Sequence, residues 1–159
     1  MQTEIRVLLD ALDAAFLGTS WHGTTLAGSL RGVTPPQARW RPGPRRHTIW
    51  ELALHTAYWK YVVTRRITGD EVRGGFPRSP SNWPSMPGHP DAKTWKADVQ
   101  LLKRMHAELR AAVAALPAMR LRKRSPSGKW TYGQLVSGVA AHDLYHTGQI
   151  QLIKRLMKR

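Results

Sequence analysis

The sequence predicts an all-α protein, a four-helix bundle in which a long connection joins the second and third helices. Four long segments carry apolar residues at spacings of three and four, which places them on one helix face. No segment shows the alternation of apolar and polar residues that is typical of a half-buried strand. A stretch rich in proline and glycine, residues 70–90, separates the second long segment from the third. The length of 159 residues fits one domain, predicted over residues 1–159.

The first long helix is predicted over residues 3–17, and shorter elements are predicted after it. The apolar stripe of this helix consists of Ile5, Leu8, Leu9, Leu12, Ala15 and Phe16. Residues 21–30 indicate a short extra helix, and Thr34-Pro35-Pro36-Gln37 indicates a capped turn. The Pro42-Gly43-Pro44 segment then excludes helix.

The second long helix is predicted to begin at Thr48 and to end near Gly69. Thr48 and Glu51 have the spacing of a capping box, and glycine is the usual residue just after a helix. The proline-rich stretch that follows is expected to be ordered, because it contains large apolar anchors, namely Phe76, Trp83 and Met86. A connection this long is unusual in a compact domain, and a crossover that lets two bundle helices run parallel would explain it. The expected fold is therefore a four-helix bundle with one long crossover.

The third and fourth long helices are bounded by equally clear signals. The third is predicted over residues 91–116 and stops at Pro117, which cannot continue a helix. The fourth begins after Thr131, where Gln134 completes a second capping box, and continues to about residue 158.

Composition excludes several classes of site and leaves the partner open. The absence of cysteine removes disulfides, thiolate metal sites and a cysteine nucleophile. The net charge is +15, from 25 Lys and Arg against 10 Asp and Glu, and such a surface attracts nucleic acids or anionic small molecules. The basic residues are spread from Arg6 to Arg159 without a dominant block, so an ordinary basic surface explains them as well. Nucleic-acid binding is kept as an alternative.

Nothing in the sequence predicts a membrane protein. The N-terminal segment reads as an amphipathic helix rather than a secretion signal, since it lacks a basic start and a continuous apolar stretch. No apolar run approaches the ~18 residues that cross a bilayer. The expected location is the cytoplasm.

Three histidines fall on the apolar stripes of two predicted helices. The stripe of the fourth helix consists of Leu135, Val139, His142, His146, Ile150, Ile153 and Met157. The stripe of the second helix carries His55 in its middle. Residues four apart on a helix have Cβ atoms roughly 6 Å apart, so His142 and His146 can reach one metal ion. Burying three imidazoles without partners is expensive, and one metal ion would satisfy all three.

Other interpretations of this pattern stay open at this point. A single histidine on an apolar face is often a hydrogen-bonded core residue, and two histidines four apart occur by chance. The segment HDLYH has the spacing of a metalloprotease motif, but Asp143 is a methylene shorter than the glutamate that this motif requires. Asp143 is instead expected to be a solvent-facing or inter-helix polar residue. Imidazole ligands suit zinc, nickel, copper and iron, and three of them leave at least one position open, as in catalytic sites.

Further residues are candidates for a pocket or for the surroundings of the metal: His22, Trp59, Tyr145 and Gln149. His22 would be a fourth ligand, proton shuttle or substrate contact, or else an ordinary surface histidine. Gln149 is expected to hydrogen-bond an imidazole or another helix. Gly138 and Gly148 weaken the fourth helix, so they are expected to permit close approach of another helix.

These residues together resemble the DinB/YfiT-like superfamily over nearly the whole chain. The resemblance rests on His55 within IWELALHTAYW, on SWHG at 20–23, on GGFPRSPSNWP in the loop, and above all on AAHDLYHTGQI. It implies the up-down-down-up bundle and a metal site formed by His55, His142 and His146. It also implies zinc or nickel as the ion, a homodimer, and activities such as thiol transfer with a low-molecular-weight thiol.

The leading functional hypothesis is a metal-dependent enzyme of thiol S-transferase or related hydrolase type, acting on a small molecule. The pocket is expected between the second and fourth long helices, and a basic rim would favour an anionic thiol. The alternative is a non-enzymatic basic protein that binds nucleic acid or an acidic partner and keeps a structural metal.

Overall fold

The computed structural model describes residues 3–69, 75–125 and 128–158, and it is all-helical. Its helices are α1 Thr3–Phe16, α2 Leu26–Ser29, α3 Pro35–Arg39, α4 Ile49–Thr68, α5 Ala92–Ala115 and α6 Tyr132–Leu156, with a 3₁₀ helix at Ala118–Arg122. Within these described ranges there is no β-strand, and a single antiparallel bridge joins Arg124 to Thr131. The four predicted long helices are α1, α4, α5 and α6, and the all-α fold is confirmed.

Both predicted capping boxes are present. The Thr48 side chain accepts a hydrogen bond from the Glu51 amide at 3.1 Å, and the Glu51 carboxylate accepts one from the Thr48 amide at 2.8 Å. Thr131 and Gln134 repeat this exchange at the start of α6. Gly69 ends α4 at φ 78°, in the left-handed region that glycine adopts without steric cost. Local sequence therefore sets where the two site-bearing helices begin.

Two of the shorter elements differ from their predictions. The helix predicted over 21–30 is wrong in extent, since α2 covers only Leu26–Ser29. Gly23 lies at φ 103° and Thr25 is extended, so the chain turns before Thr25 caps α2. The segment predicted as a capped turn is longer than expected, because Thr34 caps the five-residue α3, which has proline at its first positions.

The interior consists of two apolar clusters that occupy opposite ends of the bundle. One cluster packs around Trp50 and includes Phe16, Leu26, Leu52, Leu54, Leu102 and Ile150. The other includes Ile5, Leu9, Leu12, Val63, Leu109, Val113 and Val136. On α6 the two clusters are separated by residues 141–149, the segment that holds His142 and His146. Burial on both sides thus fixes the helix that carries these histidines.

The connection between α4 and α5 packs against the bundle, as predicted. Its anchors Phe76, Trp83 and Met86 lie against the cluster around Trp50. The first part of the predicted connection, residues 70–74, lies outside the described residues.

Each long helix packs against two of the others. α4 packs against α5 and α6, and α1 packs against α5 and α6. The junction of α4 and α6 carries the histidines, while the up-down-down-up order stays a prediction. In the described part of the chain, no helix is both long enough and apolar enough to cross a membrane.

Candidate metal centre

The fold brings the three stripe histidines together. His55 lies on α4, and His142 and His146 lie one turn apart on α6, with potential ligand nitrogens all within 4.8 Å of one another. The Nε2 atom of His142 is 3.1 Å from Nε2 of His55 and 3.0 Å from Nε2 of His146. Nitrogens bound at about 2.1 Å to one ion lie about 3.0 Å apart at right angles and about 3.4 Å apart in a tetrahedron. The two observed separations match the right-angle value and are shorter than the tetrahedral one.

Hydrogen bonds at the far side of two rings orient their lone pairs toward the cluster. Nδ1 of His55 donates to the backbone carbonyl of Asn82 at 2.5 Å, and Nδ1 of His146 donates to the Gln149 side chain at 2.7 Å. A neutral imidazole with its proton on Nδ1 has its lone pair on Nε2. Both Nε2 lone pairs therefore point at His142.

A cation satisfies this arrangement better than a hydrogen bond does. His142 Nε2 faces two lone pairs but can carry one proton at most, so protein hydrogen bonds leave at least one lone pair without a donor. Nδ1 of His142 is buried and has no hydrogen-bond partner among the described residues. A metal ion at the convergence of the three Nε2 atoms would accept all three lone pairs at once. The donor set thus fits a divalent transition ion.

Burial keeps the three rings neutral, which is the protonation state that binds metal. Burial, helped by the neighbouring histidines, lowers the pKa of His142 to about 3. Burial lowers the pKa of His55 to about 4, against the opposing hydrogen bond to Asn82. The pKa of His146 is lowered by the same cause. Because metal competes with protons for imidazole, these shifts favour metal binding near neutral pH.

The connection between α4 and α5 covers one side of the cluster. The Trp83 indole stacks on the His55 ring with centroids 3.7 Å apart. The His47 ring also stacks on the Trp83 indole, with centroids 3.6 Å apart. Asn82 adopts a left-handed φ of 69°, and its side chain accepts a hydrogen bond from Trp59 Nε1 at 2.9 Å. The sequence predicts the loop and its anchors, but no pattern in it indicates that Asn82 and Trp83 contact the histidine cluster. Nor does any pattern indicate His47 as the stacking partner of Trp83.

A buried ion pair lies beside the cluster and joins the two helices that form it. Lys60 on α4 contacts the Asp143 carboxylate on α6, and both side chains are fully buried. The sequence predicts either a solvent-facing or an inter-helix position for Asp143, and the structure places it between the helices. Lys60 also lies 5.0 Å from the centroid of the Phe16 ring. Sequence patterning gave no signal for it, since lysine at a helix position is normally exposed.

The cluster opens onto a cleft of about 1170 Å³ between α4 and α6. Trp59 lies in its wall with its ring 6.4 Å from those of His55 and His142. Tyr145 is 64% exposed, and its ring centroid is 5.0 Å from that of His146. The close-approach prediction for Gly138 and Gly148 is wrong, since a Cβ at either would meet no atom within 4 Å. Gly138 instead lines the cleft, where the missing side chain leaves space.

The structure does not bring His22 to the cluster. His22 is exposed, and its Nε2 lies 3.1 Å from the carbonyl oxygen of Ala14. It borders a separate groove together with Leu144 and Gly148, on another face of α6 from the metal centre. Its surroundings are those of a surface histidine that ties the 20–24 segment to the end of α1.

Comparison with known protein families identifies the family of this chain. No curated protein and no solved structure matches the chain. A family model matches residues 19–150, which include all three histidines, and its description is the DinB superfamily. The all-helical fold and the three-histidine cluster fit a metal-binding protein of this kind. The chain therefore belongs to the DinB superfamily.

Proposed function

We propose that this protein is a metal-dependent enzyme of thiol S-transferase or related hydrolase type, with zinc or nickel held by His55, His142 and His146. The observation that carries the proposal is the convergence of three neutral Nε2 atoms on the wall of a large open cleft. Three imidazole ligands leave at least one coordination position for a substrate atom or water. A closed structural site would use four protein ligands, and within the described residues the cluster contains three.

The metal, when bound, would supply Lewis acidity that favours the deprotonated form of a thiol or water. The protein's own groups orient and shield this centre. The Asn82 carbonyl and the Gln149 side chain hold two of the imidazoles in the binding tautomer. Trp59 and Trp83 cover one side of the cluster and limit access of water to it. We assign the exposed Tyr145 phenol, beside His146, the role of holding or passing on a proton.

A low-molecular-weight thiol is the co-substrate that we propose. Arg66 and Lys129 line the same cleft as the histidines, and the described lining includes no carboxylate. A thiol that also carries a negative charge would be attracted to this cleft over a neutral one.

Metal stoichiometry tests the first half of this proposal. We expect untagged protein to contain one equivalent of metal by inductively coupled plasma mass spectrometry, and a His142→Ala/His146→Ala double variant to contain none. The matched control is His89→Ala, which removes an exposed histidine away from the cluster. Wild-type protein that stays metal-free after incubation with zinc and nickel would overturn the proposal.

Transfer assays test the second half. Metal-loaded protein would be incubated with glutathione, bacillithiol or mycothiol and a panel of electrophiles, with thioether formation followed by mass spectrometry. We expect turnover with one thiol that disappears in the double variant and persists in the His89→Ala control. Loaded protein that is inactive with every thiol and electrophile would contradict the transferase assignment and leave the metal site standing.

A further inference from the structure

The cleft extends far beyond the metal centre along both helices. On α4 its lining includes His55, Trp59, Val63 and Arg66, and on α6 it includes His146, His142, Val139 and Leu135. The two ends of each set are eleven positions apart in the sequence, which corresponds to roughly 16 Å of helix axis. The histidines thus lie toward one end of an elongated groove rather than at the centre of a round pocket.

The middle of the groove is apolar. Its floor consists of Val63, Leu135 and Val139, which are more than nine-tenths buried, and Gly138 in the same lining adds no side chain to it. Trp130, which is 45% exposed, forms part of the wall at the end away from the cluster. Such a surface gains free energy by contact with an apolar chain, in proportion to the area that it covers.

The far end is cationic. Arg66 on α4 and Lys129 just before α6 are the charged side chains in the described lining apart from the histidines. Among the described residues, the carboxylates form their ion pairs with other cations, and neither Arg66 nor Lys129 is a partner in any of them. The Lys129 ammonium lies 5.2 Å from the centroid of the Trp130 ring, so its charge is held at the edge of the apolar wall. Two cations that have no carboxylate partner among the described residues, at the end of an apolar groove, attract an anion there.

We propose that the groove takes an extended amphiphile with a metal-binding head at the histidines, an apolar body along Val63 and Leu135, and an anionic end group at Arg66 and Lys129. This inference rests on the proposed metal function and adds the class of substrate. Since single bonds of about 1.5 Å advance an extended chain by about 1.3 Å each, about eight to twelve methylenes cover most of the groove. Shorter molecules reach the metal or the cations but not both.

A chain-length series tests the inference directly. Zinc-loaded protein would be titrated calorimetrically with ω-mercaptoalkanoates of increasing length, and with the ω-mercaptoalcohols of equal length as neutral controls. We expect the affinity of the mercaptoalkanoates to be highest at about eight to twelve methylenes. At that length it should exceed the affinity of the equally long mercaptoalcohols about tenfold, and at shorter or greater lengths the two series should bind alike. An affinity that rises steadily with length, equally for both series, would overturn the inference.

Variants identify the groups responsible. Arg66→Met/Lys129→Met should abolish the preference for carboxylate over alcohol, whereas Lys96→Met, which removes an exposed charge on α5, should keep it. A double variant that retains the preference would also overturn the inference. If a variant folds poorly, the comparison of the two ligand series on the wild-type protein still tests it. Metal content is measured on the same samples. Loaded protein without a length optimum refutes the inference alone, whereas failure to take up metal refutes the proposed function and this inference with it.

Discussion

Lys60 and Asp143 form an ion pair from which solvent is wholly excluded, and the pair joins α4 to α6 beside the histidine cluster. Asp143 directly follows His142 in the sequence, and Lys60 is five residues after His55. Burial raises the pKa of Asp143 and lowers the pKa of Lys60, while the attraction between them opposes both shifts. The pair is therefore in a position to fix the spacing of the two helices that supply the proposed metal ligands.

Removing one partner of this pair should cost far more than removing both. Lys60→Met leaves a buried carboxylate without a counterion, and we expect it to lower the free energy of unfolding by about 3–5 kcal/mol. Lys60→Met/Asp143→Leu should recover most of that loss, because two apolar side chains of similar size need no counterion. Urea unfolding of the wild type, both single variants and the double variant gives the coupling free energy.

The prediction is contradicted if the double variant loses as much free energy of unfolding as the two single variants lose together. The same double variant also separates stability from positioning. If the pair fixes the spacing of α4 and α6, the double variant should fold but bind zinc more weakly than the wild type. Unchanged zinc affinity would limit the pair to a structural role.

Gln149 should affect metal affinity without contacting the metal. Its side chain accepts the hydrogen bond from His146 Nδ1 at 2.7 Å. Loss of such an outer partner typically weakens metal binding 10- to 100-fold, so we expect a drop of about that size for Gln149→Leu. Competition with a chromogenic chelator measures it. Gln151→Leu, two residues further along α6, is the matched control, and equal affinity of the two variants would contradict the assignment.

Local signals in the sequence were sufficient for the long helices and for the histidine cluster. The capping boxes at Thr48 and Thr131 depend on residues three apart, and the histidines of α6 depend on a spacing of four, so both can be read from short segments. The helix predicted over 21–30 is longer than α2, because Gly23 turns the chain and apolar periodicity does not indicate such a turn. Apolar periodicity predicts the long helices but not the irregular turns between them.

The remaining features of the site depend on partners far apart in the chain. The carbonyl that orients His55 belongs to Asn82, 27 residues away, and its direction depends on a left-handed residue in an irregular loop. The buried Lys60 has its carboxylate partner in Asp143, 83 residues later in the chain. No local pattern distinguishes this lysine from an exposed one. The homodimer and the identity of the ion stay predictions.

His22 should be dispensable for metal binding. It lies outside the cluster, and its Nε2 contacts the Ala14 carbonyl oxygen at the protein surface. We expect His22→Ala to retain one equivalent of zinc and to change the free energy of unfolding by less than about 1 kcal/mol, as for most exposed hydrogen bonds. His55→Ala should instead lose the metal. A His22→Ala protein that releases zinc would show that the 20–24 segment reaches the centre in solution.

The stability of the metal-free protein should fall steeply below pH 6.5. Burial, together with the Lys60 charge, lowers the pKa of His106 to about 4, and burial lowers those of His55 and His142 to about 4 and about 3. In the unfolded chain each of these histidines has a pKa near 6.5, so it takes up its proton at a higher pH than it does in the folded protein. The free energy of unfolding is therefore highest above pH 6.5 and declines toward pH 4, by up to about 1.4 kcal/mol per pH unit for each histidine.

His106 allows this to be tested without touching a proposed ligand. It stacks on Phe16 with ring centroids 3.9 Å apart, so His106→Phe keeps an aromatic ring in the same place. Urea unfolding of chelator-treated protein at pH 7, 6 and 5 should give a shallower decline for the variant than for the wild type. The expected difference approaches about 1.4 kcal/mol per pH unit, the contribution of one proton. Identical slopes would mean that His106 takes up its proton in the folded protein as readily as in the unfolded chain, against the burial that the structure gives it.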